Sequence, residues 1–236
     1  MDSACIFAAV STTPRNNGKP LPLGLALAFR LALLAAVVTA VPLQSRAEGE
    51  DTGPMPTIEK LHATLLEVMK GARTLGYEGR RKLLEPTLDR TMDLAFMAEK
   101  AAGKYWKDFS EPDRARWVTA FRGNTIANYA GRFDGFSGQS FVTNGDEESP
   151  FDTRLVKTTL KDPTGEDVQL NYRMKKGAEE WRIIDIYMHG TVSELALRRA
   201  EYSSALERDG LDKVIENLQG QAAKLAGSRD SEASEQ

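Results

Sequence analysis

Cysteine and histidine are almost absent from this chain of 236 residues. The single cysteine, Cys5, lies in the first ten residues, which excludes a disulfide scaffold, cysteine-ligated zinc and thiol catalysis from the rest of the chain. Only His62 and His189 are available to a metal site or a histidine-dependent catalyst. The sequence also lacks a glycine-rich phosphate loop and a basic run, and its net charge of -3 argues against nucleic-acid binding.

The N-terminal region has the pattern of an export signal. A basic lead that includes Arg30 precedes a short apolar run at residues 31–38, and the small-x-small sequence at 45–47 offers a cleavage site. We therefore predict a signal peptide at residues 1–47 and a periplasmic mature protein. The alternative is an uncleaved membrane anchor at residues 21–41, which would place Arg30 near the bilayer centre at a cost of roughly 2.5–3.5 kcal/mol.

Removal of residues 1–47 leaves 27 basic and 33 acidic residues, a net charge of -6. Such a surface is weakly repelled by anionic bilayers. We therefore expect contact with lipid to involve one molecule in a pocket rather than adsorption of the protein.

The mature chain begins with helical periodicity. Apolar residues recur at steps of three and four from Ile58 to Val68, and Gly71 follows as a helix end. A capping-box pattern at residues 110–113 predicts the start of a long helix. Together with the stripes between them, these patterns predict a helical N-terminal half.

Beyond Gly135 the apolar residues alternate instead, with turn residues between the segments. Ile183 and Ile184 break the alternation, which favours a central strand covered on both faces. Two further helices are predicted after Ser193, separated at Gly210. The order predicts an α+β fold: a curved antiparallel sheet of about four strands, with N- and C-terminal helices packed on it around an apolar cavity. We expect one domain at residues 48–227 and a disordered tail at 228–236.

Two groups of residues contain side chains that could bind a metal ion or act in catalysis. Glu59 and His62 share a helix face, but a di-iron site needs a second such motif, which the sequence lacks, so we interpret them as a solvated pair. Asp185, Tyr187 and His189 alternate along the last strand, near Tyr172 in one arrangement, where they are suited to proton abstraction. The alternative is structural: Asp185 caps backbone N–H groups or pairs with an arginine, Tyr187 is half-buried, and His189 ends the strand.

The order and spacing of several short motifs resemble the MlaC / toluene-tolerance family of exported phospholipid-binding proteins, over residues 56–218. The motifs that carry the resemblance are Asp93-Leu94-x-Phe96-Met97-Ala98, Gly103-x-Tyr105-Trp106, Phe121 through Tyr129 to Phe136-Ser137-Gly138-Gln139, Tyr172-Arg173-Met174, and Trp181 to Ile186 followed by Gly190 and Ser193. Residues 189–199 depart from the usual family pattern and look more like the branch associated with hopanoid biosynthesis.

The resemblance implies a monomeric periplasmic carrier without catalytic residues, metal or cofactor. Its ligand would be a phospholipid or a hopanoid, exchanged between an inner-membrane transporter complex and an outer-membrane lipoprotein–porin complex. Ten residues on predicted inward faces are the candidates for the lipid cavity: Met97, Trp117, Phe121, Tyr129, Leu170, Tyr172, Met174, Ile184, Ile186 and Met188.

Two other classes of function stay open at this point. The first is an enzyme of a related cone-shaped fold that uses Asp185 and His189 on a polycyclic or prenyl-derived substrate. The second is an adaptor whose core is filled by its own side chains. A ligand that can be extracted from the protein would distinguish the carrier from the adaptor.

Overall fold

The computed structural model describes residues 53–234 and has the predicted α+β organisation. The predicted signal peptide, residues 1–47, lies outside the described residues. The helices are α1 (Met55–Lys70), α2 (Ala72–Thr91), α3 (Leu94–Ala102), a short 3-10 helix (Gly103–Lys107), α4 (Glu111–Arg132) and α5 (Glu194–Ser234). The strands are β1 (Ser140–Ser149), β2 (Thr153–Lys161), β3 (Val168–Lys176), β4 (Trp181–Met188) and β5 (Val192–Ser193).

Local side-chain chemistry sets several helix ends where the sequence predicts them. Ser110 precedes α4, and its Oγ accepts a hydrogen bond from the Asp113 N–H at 3.3 Å, which confirms the capping pattern. Asp93 caps α3 in the same way, accepting from the Phe96 N–H at 3.0 Å. Gly71 ends α1, as the periodicity predicts.

The five strands form one antiparallel sheet in sequence order, β1-β2-β3-β4-β5, that does not close on itself. The prediction of about four strands differs only by β5, which has two residues. The register between β3 and β4 shifts at one point: Arg173 is opposite Asp185 and Met174 is opposite Ile183, so Ile184 is an extra residue in a β-bulge. This bulge is why two consecutive isoleucines interrupt the alternation.

The helices cover one face of this sheet and form a continuous hydrophobic core with it. The junction of α2 and α3 is attached directly to β4, because the Asp93 N–H donates to the Ile183 carbonyl at 2.9 Å. At the start of β4, the Thr57 hydroxyl of α1 donates to the Trp181 carbonyl at 3.1 Å. None of the helices in the described part of the chain has the length and apolar character that a membrane span requires.

The C-terminal helix α5 is bent at Gly210, where φ is 77° and ψ is 172°. The two helical segments predicted on either side of this glycine are therefore present. The backbone of residues 228–234 continues the second segment as helix, whereas composition predicts a disordered tail there. The domain limits themselves remain predictions.

Candidate functional site

The candidate lipid site is the interior between the inner sheet face and the helices. All ten residues that the sequence nominates are buried, and nine of them belong to the continuous hydrophobic core. The tenth, Ile184, is buried but lies outside that core, at the bulge in β4. Their role in binding a lipid remains a prediction.

The strand residues among them form a compact apolar surface because of the register. Leu170 is directly opposite Met188, and Tyr172 is directly opposite Ile186, so these four side chains are neighbours on the inner face. Met174 is opposite Ile183 across the bulge. The inner face of β3 and β4 therefore presents a largely apolar surface to the helices, in which the Tyr172 hydroxyl is a polar point.

Trp117 of α4 packs inside the helical layer that completes this core. Its side chain is fully buried, and its indole N–H donates to the Ala98 carbonyl of α3 at 2.8 Å. The ring of Tyr202 in α5 stands edge-on to Trp117, with centroids 5.4 Å apart. One tryptophan thus holds three helices at fixed distances, with its single polar atom satisfied.

A buried polar group at this interior corrects the sequence interpretation of His62. Its side chain is 4% exposed, not solvated. Its Nε2 lies 3.1 Å from the hydroxyl oxygen of Tyr172, and its ring stacks on Phe141 with centroids 3.9 Å apart. Burial lowers the pKa of His62 to about 4. His62 is therefore a neutral ring in the core. Its spacing, four residues after Ile58 and three before Leu65, is the sequence signal that places it on the buried face of α1.

A second polar cluster, which the sequence did not nominate, lies where α5 begins. Arg198 donates to a carboxylate oxygen of Glu194 from Nε at 3.0 Å and from Nη2 at 2.7 Å, and to the Tyr202 hydroxyl at 3.1 Å. Burial alone would lower the pKa of Arg198, but attraction to Glu194 and Tyr202 outweighs it and raises that pKa. In the sequence, this ion pair is indicated only by the i, i+4 spacing of Glu194 and Arg198.

Tyr129 lies in the same electrostatic neighbourhood. Burial raises its pKa, and the nearby negative charge of Glu194 raises it further. Tyr129 also stacks on Phe133, with ring centroids 5.6 Å apart. A predicted lipid-lining residue is therefore adjacent to the polar cluster at the start of α5.

The three strand residues that suggested an enzyme do not face Tyr172. Tyr172 is opposite Ile186 on the inner face, while Asp185 is opposite Arg173 and Tyr187 is opposite Asn171 on the other face. His189 follows the end of β4 with a positive φ of 49°. The predicted placement of Asp185, Tyr187 and His189 near Tyr172 is therefore wrong, because Asp185 and Tyr187 lie on the opposite face of the sheet.

Asp185 has the structural role that was its alternative interpretation. Its carboxylate accepts from the Ser193 hydroxyl at 2.6 Å and from the N–H groups of Ile186 at 2.8 Å and Leu195 at 3.1 Å. Burial raises its pKa, while these hydrogen bonds lower it. Asp185 therefore anchors the first turn of α5 to β4.

A separate open groove of about 310 Å³ lies among α2, α4 and α5. Its floor includes small residues of α4 and α5 such as Ala120, Gly123 and Ala222, and Glu78 and Arg81 of α2 also line it. None of the ten nominated residues lines this groove. Within residues 53–226, no group of histidine, cysteine or acidic side chains has an arrangement that could hold a metal ion.

Comparison with known proteins relates the chain to one protein family and to solved structures. The family model described as MlaC protein matches residues 59–220. Among solved structures, the chain is similar to a phospholipid-binding protein from Ralstonia solanacearum in complex with a phospholipid, with 20% sequence identity and a TM-score of 0.63. That similarity covers 72% of this chain and 97% of the other, and at this identity it shows the fold alone. No curated protein matches the chain significantly.

Proposed function

The chain belongs to the MlaC family, and from this membership we propose that it is a periplasmic lipid-transfer protein. It binds the acyl chains of a lipid between the inner sheet face and the helices. The observation that carries the proposal is the apolar inner face of β3 and β4, which forms one continuous core with the helices. The phospholipid held by the solved protein of the same fold supports it further.

The physical basis is the cost of moving a lipid through water. Shielding one methylene is worth about 0.8 kcal/mol, so two acyl chains with about 25 shielded methylenes gain on the order of 20 kcal/mol gross. A carrier that offers nearly the same shielding as a bilayer makes exchange between them close to balanced. Direction would then come from an inner-membrane transporter complex and an outer-membrane lipoprotein–porin complex, and no catalysis is required.

The carried lipid is a phospholipid or, if the departure at residues 189–199 marks the other branch, a hopanoid. Native mass spectrometry of the protein from a periplasmic extract, followed by organic extraction, distinguishes the two by mass. A bare polypeptide under gentle conditions would contradict the proposal and favour an adaptor with a filled core. The same spectrum tests whether the chain begins at Glu48, as cleavage after residue 47 requires.

The location of the site is tested by filling it without adding charge. Leu170→Trp and Met188→Trp each add a large side chain to the inner face, and we expect each to lower the amount of copurifying lipid several-fold. Val142→Trp is the matched control, because Val142 lies on the edge strand β1, is 40% exposed and is opposite Thr159 rather than a core residue. Inner-face variants that fold and carry the usual lipid would refute the location.

The enzyme hypothesis keeps its own test. Asp185→Asn would abolish turnover of a polycyclic or prenyl-derived lipid and leave binding intact if Asp185 were a general base. Because Asp185 anchors α5 in the structure, we expect instead a lower stability and an unchanged bound lipid.

A further inference from the structure

The turn between β1 and β2, residues 150–152, presents an aromatic ring to solvent. Phe151 is 85% exposed, which is the highest value among the large apolar side chains that the structure describes as exposed. Both Phe151 and Asp152 have positive φ angles, 65° and 54°, which cost a residue other than glycine of the order of 1–3 kcal/mol each. The turn therefore bears both backbone strain and an exposed ring.

The turn is held in this shape by side chains of the sheet. The Pro150 carbonyl accepts a hydrogen bond from the Thr153 hydroxyl at 2.7 Å and another from Nη2 of Arg173 at 2.9 Å. Arg173 also donates from Nε to the Thr153 hydroxyl oxygen at 3.0 Å, and its guanidinium carbon lies 6.0 Å from the centre of the Phe151 ring. The ring is thus displayed in a fixed position beside a cation.

Two more cations share the outer sheet face with Arg173. Lys175 is two residues further along β3, next to Thr153 of the turn strand, and is directly opposite Arg182 of β4. Like charges directly opposite each other are unfavourable, and among residues 53–226 neither has an acidic group within ion-pair distance. An anion brought to this end of the sheet would relieve that repulsion.

We propose that Phe151 together with Arg173, Lys175 and Arg182 is a membrane-contact patch for an anionic bilayer. A bilayer accepts one protruding ring at the level of its headgroups while neighbouring cations contact phosphates. A stable protein interface needs about 1,000 Å² of complementary surface, whereas this patch has a single large apolar side chain. The bilayer is therefore the occupant that the patch fits.

This local patch qualifies the expectation drawn from net charge. The whole surface is acidic, but attraction within a Debye length of about 8 Å depends on the charges nearest the membrane. The exposed acids of the neighbouring turns, Asp152, Glu179 and Glu180, keep the attraction weak. The contact is accordingly brief and reversible, as a shuttling carrier requires.

The test is cosedimentation of the purified protein with vesicles of phosphatidylcholine, either pure or with about a third phosphatidylglycerol. We expect the wild type to bind the anionic vesicles more strongly. Phe151→Asn should weaken that binding about tenfold, and Lys175→Glu with Arg182→Glu should remove the preference for anionic lipid. Asparagine tolerates positive φ, so Phe151→Asn keeps the turn and does not lower stability.

Val142→Gln is the matched control, because Val142 is a 40% exposed apolar residue near the start of β1, at the opposite end of that strand from the turn, and it should bind like the wild type. Equal binding of the wild type to both vesicles, or unchanged binding of Phe151→Asn, would overturn the proposal. A wild type that binds neither vesicle type would also overturn it. Phe151→Asn should still copurify with the usual lipid, so failure here is distinguishable from failure of the carrier function.

Discussion

Protonation of His62 should destabilise the folded protein in mild acid. In the fold its ring is neutral, stacked on Phe141 and within hydrogen-bonding distance of the Tyr172 hydroxyl, and burial lowers its pKa from 6.5 to about 4. A histidine whose folded pKa lies below its unfolded pKa binds its proton more readily in the unfolded chain. The folded protein therefore has its full stability above pH 6.5, and the part of that stability that depends on a neutral His62 is lost as the pH falls toward 4.

The size of this loss follows from the two pKa values. At pH 5.5 it is about 1 kcal/mol, and at pH 4.5 it is about 2 to 3 kcal/mol, because each unit of difference corresponds to about 1.4 kcal/mol. A loss of this size is a large part of the stability of an ordinary domain. It falls within a pH range that mild acid stress reaches.

The assay is urea unfolding between pH 7.5 and 4.5, followed by tryptophan fluorescence, for the wild type and His62→Gln. Glutamine can contact the Tyr172 hydroxyl but does not titrate, so the stability advantage of the wild type over His62→Gln should fall with pH, vanish near pH 5.5 and become a disadvantage of about 1–2 kcal/mol at pH 4.5. His62→Gln starts lower at pH 7.5, by about 1 kcal/mol for the lost ring stacking.

Titration of carboxyl groups also changes the unfolding free energy with pH, but it affects the wild type and His62→Gln equally and cancels in their difference. Hydrogen bonds lower the pKa of Asp113, and burial raises the pKa of Asp185, so these two act in opposite directions as the pH falls. Both are present in wild type and variant. Unfolding free energies that stay parallel from pH 7.5 to 4.5, or a pKa of His62 above 6 measured by NMR, would refute the reasoning.

Three further predictions, two of them with a control substitution, test how the helices are built. Gly210→Ala should lower the unfolding free energy by about 1–3 kcal/mol, because φ of 77° with ψ of 172° is accessible essentially to glycine alone. The control is Gly220→Ala in the same helix, which has open space around it and should raise the unfolding free energy by about 0.5–1 kcal/mol. Equal effects of the two substitutions would show that the helix does not need glycine at position 210. Trp117→Phe should lower the unfolding free energy by about 2–3 kcal/mol, because it removes the hydrogen bond to Ala98 and leaves space in the core. A decrease below about 0.5 kcal/mol in thermal unfolding would show that this contact does not stabilise the fold. Ser110→Ala should cost about 1 kcal/mol by removing the cap of α4, with Ser110→Asp as the control that restores it.

The polar residues of the interior show where sequence reasoning ended. His62 follows Leu61 on a helix whose apolar stripe is evident, yet its burial depends on Tyr172 and Phe141, which are far away in sequence and adjacent only because α1 packs on β1 and β3. Likewise, an aspartate at position 185 would suit either a general base or a helix anchor, so its residue type does not distinguish the two roles. Only the position of β5 and α5 beside β4 supplies the two donors, the Ser193 hydroxyl and the Leu195 N–H, that make it an anchor.

The sequence by itself determined the order of the elements, the capping at Ser110, the bend at Gly210 and the family, because each depends on neighbouring residues or on an ordered pattern along the chain. The tertiary structure alone decided the bulge at Ile184 and the display of Phe151 beside Arg173. A bulge shifts register only relative to a partner strand, and a side chain is exposed or buried only relative to the elements that pack around it. These are relations between distant parts of the chain, which periodicity within a single segment does not contain.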